Sequence, residues 1–392
     1  MNKKKVLFVT GEVLEGNTSS MVRNTAMLLG LSNKGYIIHT VSLSLKNEKE
    51  IPTGNVNLLN IEKRYYVSRK SFISKLNKKI DNLDSLMFRI KIIIGKLYSK
   101  IRIYGVREDM LKSIDNVKLS GYYDFILSSS DPKISHLIAK KIIEKHPNKF
   151  NKWIQYWGDP FYLDINSKRI FFNYRIKKEE YSLLLRADKV IYVSPLTIEE
   201  QKRLFPKMKE KMFFLPTPFI DTKIYKHKYG KKIIFGYYGD YHINIRNILP
   251  FYKVAKKQKR FNFEIIGDSE ISLDTEKNIV VDKRISYEEF KKHESECDIL
   301  VCICNKTGTQ IPGKAFHYAA TNKPILLIVD GNKKKIKFYF NKFNRYIICD
   351  NNENSITEAI NNISKSLDKK VYPLLDFSCD TVTEKLLNLV NK

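Results

Sequence analysis

Lys314 stands behind two glycines, Gly308 and Gly313, in a polar loop between two apolar runs. The stretch 299–329 reads ILVCICNKTGTQIPGKAFHYAATNKPILLIV. It predicts an apolar strand over Ile299–Cys304, the loop, a short helix opened by Lys314 and ending near Thr321, and a second strand after Pro324. Such a unit brings backbone N–H groups, a helix N-terminus and one ammonium to a single point. That set of groups suits an anion, most simply a diphosphate.

The spacing Gly308-x-x-x-x-Gly313-Lys314 also fits the phosphate loop of NTPases. That motif needs Ser or Thr after the lysine to hold Mg²⁺, and Ala315 stands there. Pro312 removes one of the N–H donors that would cradle phosphate. No matching strand-borne aspartate for the metal is evident. The plain alternative is a structural loop with Lys314 in solvent.

The elements that must position this lysine form two α/β runs. The first predicts strand Lys5–Thr10, loop Gly11–Thr18, helix Ser19–Asn33 stopped by Gly35, and strand Tyr36–Leu43. It resumes with strand Asp124–Ser129, helix Lys133–Lys145 and strand Lys152–Trp157. A helix around Lys177–Leu185, strand Lys189–Ser194, helix Thr197–Leu204 and short strand Met212–Leu215 follow. After a polar linker, Asp221–Lys231, the second run predicts strand Lys232–Tyr238, helix Asn247–Lys257 and strand Phe263–Gly267. Strand Val280–Asp282 and helix Tyr287–Glu294 then lead into the Lys314 segment. A tail helix, Thr381–Asn391, carries a capping box at Thr381 and Glu384. Strands alternating with helices imply doubly wound parallel sheets, used twice.

An insertion of about 46–119 interrupts the first run. Phe72, Leu76, Ile80, Leu83, Met87, Ile90, Ile94, Leu97 and Ile101 follow steps of four and three, one stripe of a long amphipathic helix. From Glu62 to Lys112 there are 14 Lys/Arg against 5 Asp/Glu. This is either a helical pair with a solvated basic face or a surface that docks on an anionic membrane.

With 392 residues the chain exceeds one compact core and implies two or three domains. At 43% hydrophobic and 29% charged it is globular. No apolar run reaches a membrane span, and the opening MNKKKVLFVTGEV is too short in apolar residues for a signal peptide. Five cysteines show no disulfide or zinc spacing, which fits a reducing cytoplasm. The net charge of +28 attracts anions, though Lys, Asn and Ile are abundant throughout. No zinc-finger spacing, aromatic RNP motif or helix-turn-helix signal accompanies it, so nucleic acid is not the expected partner.

Several segments in order resemble bacterial glycosyltransferases of the GT-B type, above all the large, mostly retaining family four. They are VLFVTGEVLEGNTSS, YYDFILSSSDPKISHLIAKKI, WIQYWGDPF, RADKVIYVSPLTIEEQKRLF, FFLPTPFID, IIFGYYGDYHINIRNILPF and CDILVCICNKTGTQIPGKAFHYAATNKPIL. The resemblance covers most of the chain apart from the insertion. It implies two Rossmann-like domains facing across a cleft. An acceptor-side domain would span 1–220, joined by the helix 376–392, and a nucleotide-sugar domain would span 221–375. It further implies a cytoplasmic enzyme, peripheral on the inner membrane face, that builds a surface glycan on a lipid-linked acceptor from a UDP- or GDP-linked sugar. No metal and no cofactor beyond that donor are implied.

Carried over by residue, the resemblance places Gly239, Arg246, Gly313 and Lys314 against the donor diphosphate. Gly16, Asn17 and Thr18 form the loop facing the cleft. Many members carry two glutamates where this chain has Thr309 and His317. His317 then offers a neutral ring to the ribose and Thr309 a hydroxyl to the sugar. The bland readings are a surface arginine at 246 and an ordinary helix histidine at 317. In a retaining transfer the donor diphosphate itself can deprotonate the acceptor and no dedicated base is needed; for an inverting one Asp159, which ends a strand where parallel sheets place ligands, is the candidate carboxylate, and otherwise it caps the turn before Pro160. The loss of both glutamates leaves open a non-catalytic binding or scaffold subunit. A sugar-nucleotide epimerase shares the two-domain form.

Overall fold

A computed structural model describes residues 4–16, 18–44, 58–68, 102–165, 173–226, 232–364 and 370–392. Asn17 and the amphipathic stripe Phe72–Ile101 lie outside them. The chain forms two compact units. The first comprises Met1–Val193, Ile198–Leu215 and Thr383–Lys392, the second Ser194–Thr197 and Pro216–Val382.

The first unit is built on β1 (Lys5–Val9), β2 (Ile37–Leu43), β3 (Ile61–Val67), β4 (Tyr123–Ser129), β5 (Phe150–Trp157), β6 (Lys189–Tyr192) and β7 (Met212–Phe214). All pairings are parallel, in the order β3-β2-β1-β4-β5-β6-β7. The strands of its centre are buried apolar runs such as VLFV of β1, as covered parallel sheets require. Helices α1 (Ser19–Asn33), α2 (Ile134–Lys145), α3 (Asn173–Arg186) and α4 (Pro195–Leu204) make the crossovers. Thr18 caps α1 by accepting from the Met21 N–H at 3.3 Å, and Gly35, with φ +81°, turns the chain out of it.

β3 corrects the expectation of a wholly helical insertion over 46–119. Its sequence IEKRYYV carries three charges, Glu62, Lys63 and Arg64, straight after Ile61, which is what an edge strand carries and what hides its alternation. Within the same stretch, Gly105–Asn116 forms 3₁₀ turns that pack Met110 and Ile114 into the first core. The amphipathic stripe that carries the membrane-docking reading lies outside the described residues.

The second unit contains β8 (Ile234–Tyr238), β9 (Asn262–Ile266), β10 (Ile279–Asp282), β11 (Ile299–Ile303), β12 (Ile325–Val329) and β13 (Tyr346–Asp350). The order is β10-β9-β8-β11-β12-β13, again all parallel. Counted from its own first strand, the second unit reads 3-2-1-4-5-6, the doubly wound order, and the first reads the same with a seventh strand, β7, added at the end. Its helices are α5 (Leu249–Lys257), α6 (Tyr287–Glu296), α7 (Lys314–His317), α8 (Lys333–Asn341) and α9 (Glu353–Ser364). β11 and β12, ILVCI and ILLIV, are buried at every position, and Cys302 and Cys304 belong to that core. The tail helix α10 (Cys379–Asn391) starts two residues earlier than its predicted cap. Ser378 Oγ, not Thr381, accepts the first free N–H, that of Thr381 at 3.2 Å. Among the described residues no helix is long and apolar enough to cross a membrane.

Candidate functional site

In a doubly wound sheet, crossovers leave the first and fourth strands in opposite directions, and their loops part to form a crevice at the strand C-termini. In the second unit those strands are β8 and β11. The loop after β8 carries Gly239, Asp240 and Arg246; the loop after β11 carries Asn305, Thr309, Gly313 and Lys314. The crevice therefore collects the predicted donor-side residues.

Lys314 is the centre of this group. A Cβ built on Gly239 would sit 3.4 Å from Lys314 Cε, so the lysine stem lies along the glycine backbone. Its Nζ is 4.6 Å from the centre of the Phe290 ring and 5.6 Å from that of Tyr318. Among the described residues no carboxylate lies within ion-pair distance of Lys314. Burial pushes its ammonium down to about 8; Glu294 opposes that shift and Arg246 adds to it. This is a desolvated cation held by ring faces and ready to gain from an anion.

Arg246 is built in more firmly than a surface arginine. Its Nη1 donates to the Asp240 carbonyl at 3.0 Å and its Nη2 to Asn305 Oδ1 at 3.1 Å. The Nε is buried with no protein partner. Lys306 N–H donates to the Ile245 carbonyl at 2.6 Å, a second tie between the same two loops.

Two expectations change here. The helix that Lys314 opens is one α-helical turn, α7, followed by a 3₁₀ turn over Tyr318–Ala320. The N–H groups of Ala315, Phe316 and His317 are taken by the Pro312 and Gly313 carbonyls. Four residues carry almost no macrodipole, so side-chain charge, not a helix N-terminus, makes this site attractive to anions. Thr309 is also committed: its hydroxyl lies 2.9 Å from that of Thr197, and its carbonyl accepts from Ser194 Oγ at 2.6 Å. His317 is half-buried on the short turn next to Lys314. Gly308, with φ +79°, makes the left-handed bend of this loop.

Sequence reasoning missed several members. Asn305 gave no signal beyond its place after an apolar strand. Phe290 and Tyr318 look like core aromatics. Glu294, 2% exposed on α6, accepts from the Tyr225 hydroxyl at 2.7 Å and from Lys223, and it is the buried carboxylate closest in effect to Lys314.

The first unit has the matching crevice between β1 and β4. Gly16 lies in the loop after β1, its N–H bonded to the Val13 carbonyl at 3.3 Å. Thr18 serves as the cap of α1, a structural duty. Asp159 follows β5. It is half-buried, and burial followed by repulsion from Asp131 pushes its carboxyl up to about 7. Lys133, 9% exposed, pairs with Asp131 and, at 3.0 Å, with Asp164. The readable hint for this cluster was the polar run SSSDPK at the end of β4. A cavity of about 240 Å³ beside Lys152 and Asp188 opens at the opposite, N-terminal strand ends and takes no part in this chemistry.

No family model and no curated protein matches the sequence. Solved structures do match in fold. The catalytic domain of starch synthase IV from Arabidopsis thaliana, bound to ADP and acarbose, is 8% identical with a TM-score of 0.67, covering 100% of this chain and 99% of that one. A TarM mutant from S. aureus in complex with Fondaparinux, alpha-GlcNAc-glycerol and UDP is 12% identical with a TM-score of 0.60, covering 100% of both chains. A putative UDP-N-acetylglucosamine 2-epimerase from Listeria monocytogenes is 9% identical with a TM-score of 0.53, covering 100% of this chain and 96% of that one. The shared feature is the GT-B fold of two Rossmann-like parallel-sheet units.

Proposed function

We propose that the protein is a glycosyltransferase that takes a sugar from a nucleoside diphosphate and passes it to a glycan acceptor. The observation that carries this reading is Lys314. It is a desolvated ammonium with no carboxylate partner among the described residues, beside Arg246 at the strand switch point of the second unit. In transfer, the bond from sugar to diphosphate breaks and negative charge collects on the departing nucleotide. Two fixed cations stabilise that charge more than they stabilise the bound donor. Gly239 lets the donor approach the β8 loop backbone. In this reading His317 serves the ribose and Thr309 the sugar, and Gly16 belongs to the acceptor-side unit. Two structures alike in fold are bound to ADP and to UDP, which supports a nucleotide-linked donor. The donor class is UDP- or GDP-linked sugar, and a lipid-linked or surface-glycan acceptor at the inner membrane face fits the basic composition.

Calorimetry against UDP-, GDP- and dTDP-sugars tests this. Binding that is lost in Lys314→Met, with transfer to an acceptor, supports it; no binding by any donor sinks it. Binding without transfer would mark a binding subunit, to which the positions Thr309 and His317, lacking carboxylates, lend themselves. Epimerised donor in the product would mark an epimerase.

A further inference from the structure

Phe290 and Glu294 stand four residues apart on α6 and so share one face of that helix. Two lysines meet there. Lys314 Nζ lies 4.6 Å from the centre of the Phe290 ring, and Lys223 Nζ lies 5.9 Å from the same ring. The buried Glu294 carboxylate is not shared between them: its Oε2 accepts from Lys223 Nζ and, at 2.7 Å, from the Tyr225 hydroxyl. Lys223 and Tyr225 belong to the segment by which the chain enters the second unit. That segment is fastened to the residues just after the Lys314 turn. Lys223 N–H donates to the Ala320 carbonyl at 2.9 Å, Tyr225 N–H to Asn322 Oδ1 at 2.9 Å, and Asn322 Nδ2 to the Tyr225 carbonyl at 2.9 Å. Around Lys314 the other charged or titratable groups are Arg246 and Asp240 of the β8 loop, Cys302 of β11 and Tyr318 of its own turn. Cys302 is a neutral thiol, pushed up by burial to about 11, and Arg246 repels the ammonium, so Glu294 is its main support. Around Glu294 stand also Lys323, Cys297 and Tyr318.

We propose that Lys223 and Tyr225 are positioning residues for donor binding, which occupy Glu294 and so leave the Lys314 ammonium free for the donor diphosphate. This rests on the donor-site reading above. A buried carboxylate beside an ammonium either pairs with it or is satisfied elsewhere. If Glu294 paired with Lys314, the donor would have to displace it, and the diphosphate would meet a negative charge at its own site. The two bonds to Glu294 Oε2 remove that competition. They also keep the carboxylate close enough to hold the Lys314 proton, which burial alone drives off. Glu294 therefore acts in two opposed ways. It keeps Lys314 charged, and it repels the ligand that Lys314 attracts. Lys223 sets the balance between the two.

The test is calorimetry of the full chain with UDP, GDP and dTDP, from neutral to alkaline pH, with melting curves to show that each variant is folded. Wild-type affinity falls with a midpoint near 8. Glu294→Gln moves that midpoint about one pH unit lower and binds at least as tightly as the wild type below it. Lys223→Met weakens binding at neutral pH on the order of tenfold and moves the midpoint higher, because the released carboxylate turns to Lys314. Tyr225→Phe moves both quantities the same way by less, and it decides alone where Lys223→Met does not fold. The double variant, Lys223→Met with Glu294→Gln, binds within about twofold of Glu294→Gln. An equal loss from Lys223→Met with and without Glu294→Gln overturns the inference, because Lys223 would then act by its own charge. Affinities and midpoints that stay at wild-type values in all single variants overturn it as well and leave the donor site standing. Binding of none of the three nucleotides by the folded wild type overturns the donor-site reading and this inference together.

Discussion

Arg246 Nη2 and Asn305 Oδ1 are 3.1 Å apart, and this hydrogen bond joins the loop after β8 to the loop after β11. The two loops leave neighbouring strands in opposite directions, so nothing in the sheet itself fixes their separation. Arg246 does so while also bonding the Asp240 carbonyl. Arg246→Ala strands both acceptors and is expected to cost about 1–3 kcal/mol of stability, as well as donor affinity. Chemical denaturation followed by circular dichroism measures the first, calorimetry the second. Arg246→Ala with wild-type stability would show that the tie is dispensable.

Lys314 behaves in the opposite way. Its charge is desolvated and unpaired by any described carboxylate, so Lys314→Met leaves the melting temperature unchanged or raises it. Donor binding is lost all the same. With its ammonium lowered to about 8, Lys314 is charged below that pH and neutral above it. Donor affinity is therefore expected to hold below pH 8 and to fall by up to about tenfold per pH unit above it. Near pH 8 binding takes up protons, seen as a dependence of the calorimetric heat on buffer ionisation enthalpy. A pH-independent affinity through this range would remove Lys314 from the site.

Two glycines of the second unit are expected to separate packing from binding. A Cβ at Gly267 would run into the Gly239 carbonyl, so Gly267→Ala forces two loop backbones apart and costs about 1–3 kcal/mol. A Cβ at Gly239 meets the flexible Lys314 stem at 3.4 Å and the Tyr237 hydroxyl at 3.8 Å, both ordinary contacts. Gly239→Ala is expected to melt like the wild type and to bind donor more weakly. Equal melting temperatures for the two variants would refute the distinction.

Glu180 makes the first unit sensitive to pH. Burial raises its carboxyl from an ordinary 4.5 to about 7, against the pull of two N–H groups. A raised acid is protonated in the fold where the unfolded chain is already ionised, so its contribution is full below 4.5 and lost as pH rises towards 7. The change is on the order of 3 kcal/mol at most. Glu180→Gln should flatten the fall in melting temperature between pH 5 and 7, whatever its effect on the absolute value. An unchanged slope would mean that another group is responsible.

Much of this architecture was legible because periodicity and stop signals agree in a doubly wound sheet. α1 was readable to the residue, between the Thr18 cap and Gly35. β3 was not, because an edge strand with Glu62, Lys63 and Arg64 at its start carries no apolar alternation. The cap at Ser378 was hidden by a competing motif three residues later. At the donor side, Gly239, Arg246 and Lys314 do converge, yet their partners Asn305, Phe290 and Tyr318 are far apart in sequence and chemically ordinary. The Asp159 cluster was legible only as one residue of four. Lys133, Asp131 and Asp164 acquire meaning through burial and mutual charge, which no spacing rule reports.

The chain contains two tryptophans, Trp153 and Trp157, and both lie on β5. Trp153 donates to Ser128 Oγ at 2.9 Å, and Trp157 stacks on the His136 ring with centroids 4.0 Å apart. The indole fluorescence of the whole protein thus originates next to the carboxyl cluster, and none originates in the second unit. Confinement of both indoles to one strand makes that emission a built-in optical probe of the first unit. Any spectral response to a nucleotide bound in the second unit would then be direct spectroscopic proof that the two units communicate.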